Sequence, residues 1–169
     1  MSSHPTQPVQ WPGSALDPVR RLRVLAASLP GCAIVEQVLD APFELAWRFL
    51  SDLERSVPEF DTEVARLVIH DRRDEQGQVR LSATAWARPW LPGLPLDVAL
   101  EEGFCWMAAP RRTFVVGMAA VPDGRRTRYA HLEGTALRLP GLAQVVARRQ
   151  RGQVLRDVAG IRSALRQRG

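Results

Sequence analysis

Three side chains able to hold or move a proton recur at every second position of one run: Tyr129, His131 and Glu133, within Arg126-Thr127-Arg128-Tyr129-Ala130-His131-Leu132-Glu133. In an extended chain alternate side chains turn to opposite faces. Thr127, Tyr129, His131 and Glu133 therefore share one face at a spacing of about 7 Å, and Arg128, Ala130 and Leu132 share the other. A phenol can polarise a carbonyl, an imidazole can shuttle a proton near neutral pH, and a carboxyl group can orient or accept it. An aldol-type cyclisation with dehydration requires that set. A histidine buried for structural reasons beside a carboxylate, or a strand with one wet face, gives the same pattern without chemistry.

Other chemistries find less support. Cys32 and Cys105 lie in apolar runs without C-x-x-C or Cys/His spacing, which reads as two small hydrophobes in a reducing, cytoplasmic setting. No two of the three histidines have metal-ligand spacing, so neither a metal nor a cofactor is expected. His4 falls in a polar N-terminal stretch, and His70 stands beside Asp71 and Arg72 as a surface residue would. A glycine-rich phosphate loop and a G-x-S-x-G elbow are both missing from the sequence.

The elements that must position the Tyr-His-Glu column follow from periodicity. Residues 1–14, rich in proline, read as a loose tail. Residues 15–31 read as a helical extension: Asp17-Pro18 opens a short helix with Val19, Leu22, Ala26 and Leu29 on one face, expected to lie outside the main fold. A strand over 32–39 stops at Asp40-Ala41-Pro42. A helix follows with Phe43, Ala46, Trp47, Leu50 and Leu53 on one face, and Pro58 closes a second short helix or turn near Phe60-Asp61.

Strands over 63–72 and 78–88 are joined by Asp74-Glu75-Gln76-Gly77. In the second, Val79, Leu81, Ala83, Ala85 and Ala87 face inward, while Arg80 and Arg88 lie on the solvated side. Further strands cover 96–107, with a break or bulge at Glu102-Gly103, then 112–121 and 126–137. Ala143, Ala147, Gln150, Val154, Val158, Ile161 and Leu165 recur at spacings of 3 and 4, an amphipathic stripe about 38 Å long whose only adequate partner is the sheet.

Several local segments sharpen the pattern: Val38-Leu39-Asp40-Ala41-Pro42, Ala46-Trp47, Leu50-Ser51-Asp52-Leu53-Glu54-Arg55, Pro58-Glu59-Phe60-Asp61, Arg126 to His131, and Gln153-Val154-Leu155-Arg156-Asp157-Val158. Together with the element order, they resemble the START-like (Bet v 1-like, SRPBCC) superfamily, in particular its bacterial polyketide cyclase/dehydrase-type members, over about residues 32–166. The resemblance implies an α+β helix-grip fold spanning 32–169: a curved antiparallel sheet of six to seven strands around a long C-terminal helix, with two short helices after the first strand.

It also implies that the Thr127–Glu133 face looks into a cavity between sheet and helix, giving Tyr129, His131 and Glu133 catalytic roles if the protein is an enzyme. Ala83, Ala85, Ala87, Val98, Phe114, Met118, Gln150 and Val154 are the expected ligand contacts, because Ala83, Ala85, Ala87, Ala143 and Ala147 are small where a filled core would use Leu or Ile. The competing expectation is that Trp86, Trp90, Phe104, Trp106 or Met118 plugs that space. Such a fold hosts several functions. A carrier of a polyketide, lipid or quinone leads, and a cofactor-free polyketide aromatase/cyclase or dehydrase is the alternative.

Charge supplies a third reading. The chain has a formal net charge of +5 and no lysine. Residues 148–169 concentrate the excess in Arg148, Arg149, Arg151, Arg156, Arg162, Arg166 and Arg168 against Asp157 alone. Such a face could make weak contact with an anionic partner or surface. No specific nucleic-acid partner is expected, because no aromatic side chains interleave with the arginines. A solvated helix face explains the same residues.

Overall fold

The computed structural model describes residues 16–75, 78–136 and 141–169. The expected tail, the Gln76-Gly77 turn and residues 137–140 lie outside them. The chain forms α1 (Pro18–Ala27), β1 (Gly31–Leu39), α2 (Phe43–Ser51), α3 (Leu53–Phe60), β2 (Arg66–Glu75), β3 (Gln78–Trp86), β4 (Leu94–Glu101), β5 (Phe104–Ala108), β6 (Val115–Asp123), β7 (Arg126–Thr135) and α4 (Ala143–Arg166). All seven strands join one antiparallel sheet in the order β1-β7-β6-β5-β4-β3-β2. The α+β architecture expected from the sequence is the one observed: a curved sheet, two short helices after the first strand, and a long terminal helix.

Of the two expectations at Glu102-Gly103, a break or a bulge, the break is observed: the pair forms the two-residue turn between β4 and β5, since Glu101 pairs with Phe104 and Gly103 takes φ 75°. One local reading changes. Arg112 does not begin a strand: residues Pro110–Arg112 form a 3-10 turn with Arg111 and Arg112 both at φ 55°, and β6 starts at Val115.

Around β1, β6 and β7 the sheet is covered on both sides. On the concave side, Val154, Val158, Ile161 and Leu165 of α4 join Leu50, Leu53, Val57 and Phe60 of α2 and α3 in the main core. Gly160 lets the two helices meet, because a Cβ there would stand 2.7 Å from the carbonyl oxygen of Phe60. On the convex side, α1 does not lie outside the fold as expected. Val19 and Leu22 pack with Phe104, Val115, Ala119, Ala130 and Leu132 in a second core.

The capping expected at Asp17-Pro18 is present, with the Arg20 amide donating to Asp17 at 2.9 Å. Asp17 also accepts from Arg128 of β7 at 3.0 Å, tying the start of α1 to the strand that carries the candidate site.

Candidate functional site

β7 is the second strand of the sheet, paired with β1 and β6, so each of its concave side chains has a strand neighbour on both flanks. Tyr129 lies between Gln37 and Ala120, His131 between Val35 and Met118, and Glu133 between Ala33 and Val116. All three are buried, with at most 2% exposed. The Tyr129 hydroxyl and His131 Nδ1 are 2.7 Å apart, and the Phe60 and imidazole rings lie nearly perpendicular with their centres 6.0 Å apart.

The helix opposite adds a group. α4 lowers Asp157 onto this wall, fully buried, so that one donor atom from each of His131, Glu133 and Asp157 lies within 4.8 Å of the other two. Gln153, one turn earlier, donates to Asp157 at 2.8 Å and to Asp61 at 3.4 Å, and its own carbonyl accepts from Arg156. His131 Nε2, Glu133 Oε2 and Asp157 Oδ2 have no hydrogen-bond partner among the described residues.

Burial sets the protonation of this group, because a charge without solvent is costly. It pushes the His131 imidazolium down to about 4, so the ring is neutral at physiological pH. Burial, followed by the negative charges of Asp157, Asp61 and Glu63, pushes Glu133 up to about 9. Asp157 rises to about 7, first by burial and then through Asp61. Tyr129 is raised well above the ordinary phenol range by burial and stays neutral. The wall therefore presents a neutral imidazole and a protonated carboxyl group.

His131 and Glu133 face a cavity of about 370 Å³ whose remaining walls are mostly apolar: Val57, Phe60 and Val64 from α3 and the segment after it, Leu67 of β2, Ala85 of β3, Leu96 of β4, Met107 of β5, and Phe114 and Val116 around the start of β6, with Asp61 and Glu63 as the further acidic groups. Ala87, Leu91, Pro92 and Leu94 line its outer end. The cavity lies under α3 and the 87–94 segment, displaced from the space under α4 where the sequence reading put it. The reason is packing: Val154, Val158, Ile161 and Leu165 fill the α4 side.

The expected ligand contacts divide accordingly. Ala85, Ala87 and Phe114 line the cavity with His131 and Glu133. Ala83, Val98, Met118 and Val154 are buried in the main core instead. Gln150 lines a separate depression with Glu63, Val146, Arg149, Gln153 and Arg156. Tyr129 does not reach the cavity; it stands behind His131 and touches the site only through that ring. Of the bulky side chains that might have plugged the space, Phe104 and Trp106 belong to the convex core, and Trp90 is 74% exposed. Met118 does fill part of the concave core.

The sequence reading missed Asp157, Gln153 and Asp61. A signal was present: Gln153 and Asp157 are four residues apart and adjoin Val154 and Val158 of the apolar stripe, which places both on the buried flank of the helix. The cysteines, His70 and the arginines of α4 lie elsewhere. Burial raises Cys32 to about 11 and Cys105 to about 12, holding both thiols protonated. The His70 ring bonds Thr84 at the surface, and the arginines of α4 are exposed.

No family model matches this chain, and no curated protein does. Solved structures do. The 18 kDa protein CC1736 from Caulobacter crescentus is similar with a TM-score of 0.62 at 15% identity, covering 80% of this chain and 96% of that one. The Zhui aromatase/cyclase from Streptomyces sp. R1128 gives 0.58 at 13%, covering 81% and 94%. The fold is shared with aromatase/cyclases. TTHA0849 from Thermus thermophilus is similar at 0.57 and 19%, covering 82% and 99%. Identities this low establish architecture, and the chemistry rests on the site itself.

Proposed function

We propose that this protein binds an apolar or aromatic small molecule, of polyketide, lipid or quinone type, in the cavity between the sheet and α3. The observation that carries the reading is a cavity of about 370 Å³ walled mostly by aliphatic and aromatic side chains, with His131 and Glu133 on one wall and Asp61 and Glu63 also lining it. Ligand cavities of about 300–1,000 Å³ combine an apolar lining with a few polar groups that fix orientation. A neutral imidazole and a protonated carboxyl group can hydrogen-bond a carbonyl or phenol without introducing a charge. Native mass spectrometry of the protein purified from its own cells tests this. A co-purifying apolar molecule that is lost from an Ala85→Trp variant is expected; a bare protein that also takes up no apolar probe would refute the reading.

A second reading, a cofactor-free aromatase/cyclase, draws on the Tyr129–His131 contact of 2.7 Å and on the fold shared with Zhui. In it Glu133 donates a proton to the guest's carbonyl oxygen while His131 Nε2 accepts one from the adjacent carbon. Tyr129 is then a positioning residue, holding the imidazole through Nδ1. The tests are Glu133→Gln and Tyr129→Phe. On the cyclase reading turnover of a poly-β-carbonyl substrate falls at least a hundredfold in the first, and the second shifts its pH profile. Unchanged turnover in both would remove the cyclase reading and leave the carrier.

A further inference from the structure

His131, Glu133 and Asp157 come from two elements far apart in sequence, and their donor atoms cluster within 4.8 Å of one another. Each presents a buried atom with no hydrogen-bond partner among the described residues: Nε2, Oε2 and Oδ2. Orphaned buried polar atoms are costly, and three of them on side chains whose donor atoms cluster share a common remedy. We propose that these three side chains hold a divalent transition-metal ion of the zinc or ferrous type at the inner wall of the cavity.

The donor set suits such an ion. One imidazole nitrogen and two carboxylate oxygens make a three-ligand site, the usual number where a metal keeps a further position for water or substrate. Two carboxylates and a neutral ring neutralise a 2+ charge. A tetrahedral site with bonds of about 2.1 Å sets its donors about 3.4 Å apart, within the limit of the cluster. The surroundings supply the orienting contacts that metal ligands require. In the tautomer that carries its proton on Nδ1, His131 donates to the Tyr129 oxygen 2.7 Å away and keeps the Nε2 lone pair for the metal, and Gln153 donates to Oδ1 of Asp157. Reading histidine spacing along the chain could not find this site, because two of its ligands are carboxylates and one is on α4.

The site does not depend on which guest fills the cavity. It competes with the cyclase reading, since His131 and Glu133 cannot be proton donor and acceptor while bound to a cation. The test uses the untagged full chain, stripped with chelator and titrated with Zn²⁺ alone at pH 8 by calorimetry, and with Co²⁺ followed by visible absorption. One Zn²⁺ per chain is expected, with a rise in Tm. Co²⁺ should give ligand-field bands, and Glu133→Gln and Asp157→Asn should each weaken Zn²⁺ at least tenfold. Binding of N-phenyl-1-naphthylamine, an uncharged apolar probe, reports separately on the cavity. Wild-type protein that takes the probe but shows no Zn²⁺ binding and no Tm shift would overturn the metal site and leave the cavity reading intact. Zn²⁺ affinity equal in wild type and both variants would overturn it as well.

Discussion

The two faces of β7 are made by the same strand and differ in how their polar atoms are treated. On the convex side Ala130 and Leu132 lie under α1, in a core of Val19, Leu22, Phe104, Val115 and Ala119. α1 comes so close that a Cβ on Gly117 would stand 2.4 Å from Leu22 Cδ1. At its edge Arg128 pairs with Asp17 through one terminal nitrogen while its Nε has no partner among the described residues, and Arg21 covers the Phe104 ring at 4.1 Å while bonding Glu101. On the concave side, alternate residues of the same strand present an imidazole and a carboxyl group to a cavity, with orphaned atoms and displaced pKa values. Close packing of apolar side chains is what stability favours. An open space lined by unsatisfied polar groups is a cost that persists where a site is needed.

This contrast can be broken most forcefully on the convex side. Leu22→Ala removes a fully buried side chain from a core with no space to collapse into, and should cost about 2–5 kcal/mol in denaturant unfolding. A loss under about 1 kcal/mol would mean that α1 is an ornament on the sheet.

On the concave side Glu133→Gln, in chelator-treated protein, should act in the opposite direction and depend on pH. An unfolded glutamate gives up its proton near pH 4.3, whereas Glu133 keeps it to about 9. The stability it contributes is therefore complete below about pH 4 and lost as pH rises toward 9. Burial first, and then the negative charges of Asp157, Asp61 and Glu63, hold the carboxyl group in this state, and Arg156 opposes them. The amide cannot ionise, so the variant should gain about 1–3 kcal/mol over wild type at pH 8.5 and almost nothing at pH 5. Equal differences at both pH values would show that Glu133 is not held neutral.

Asp17→Ala removes the α1 cap and the partner of Arg128 together, and should cost about 1 kcal/mol by the same unfolding measurement. The smallest effect is expected from Ala85→Leu. Overpacking a filled core costs about 1–3 kcal/mol, but here the added carbons enter the cavity, so stability should change by less than about 1 kcal/mol.

The difference between the faces also explains what was legible in the sequence. Alternation in 79–87 and the 3-and-4 spacing of α4 are signals of burial, and they carried the sheet and the terminal helix. The pairing of polar groups across elements has no such period. His131 and Glu133 were visible because they alternate within one strand, but Asp157 stood among arginines and read as one negative charge in a basic segment. Tyr129 was legible as part of the column, yet its removal from the cavity depends on where His131 and Phe60 pack. Small side chains marked the cavity at Ala85 and Ala87, whereas Ala83 is equally small and lies in filled core, because neighbouring elements decide whether a missing side chain leaves space. The packing of α1 went unread because a strand covered on both faces by short apolar residues looks like one with a wet side.

The central claim is that the space between the sheet and α3 accepts an apolar guest. Fluorescence titration with N-phenyl-1-naphthylamine, comparing wild type with Ala85→Trp, tests it directly. Saturable binding of one probe per chain, at least tenfold weaker in the variant at a Tm within a few degrees of wild type, is the result predicted. No saturable binding, or equal affinity in a folded Ala85→Trp protein, would contradict it.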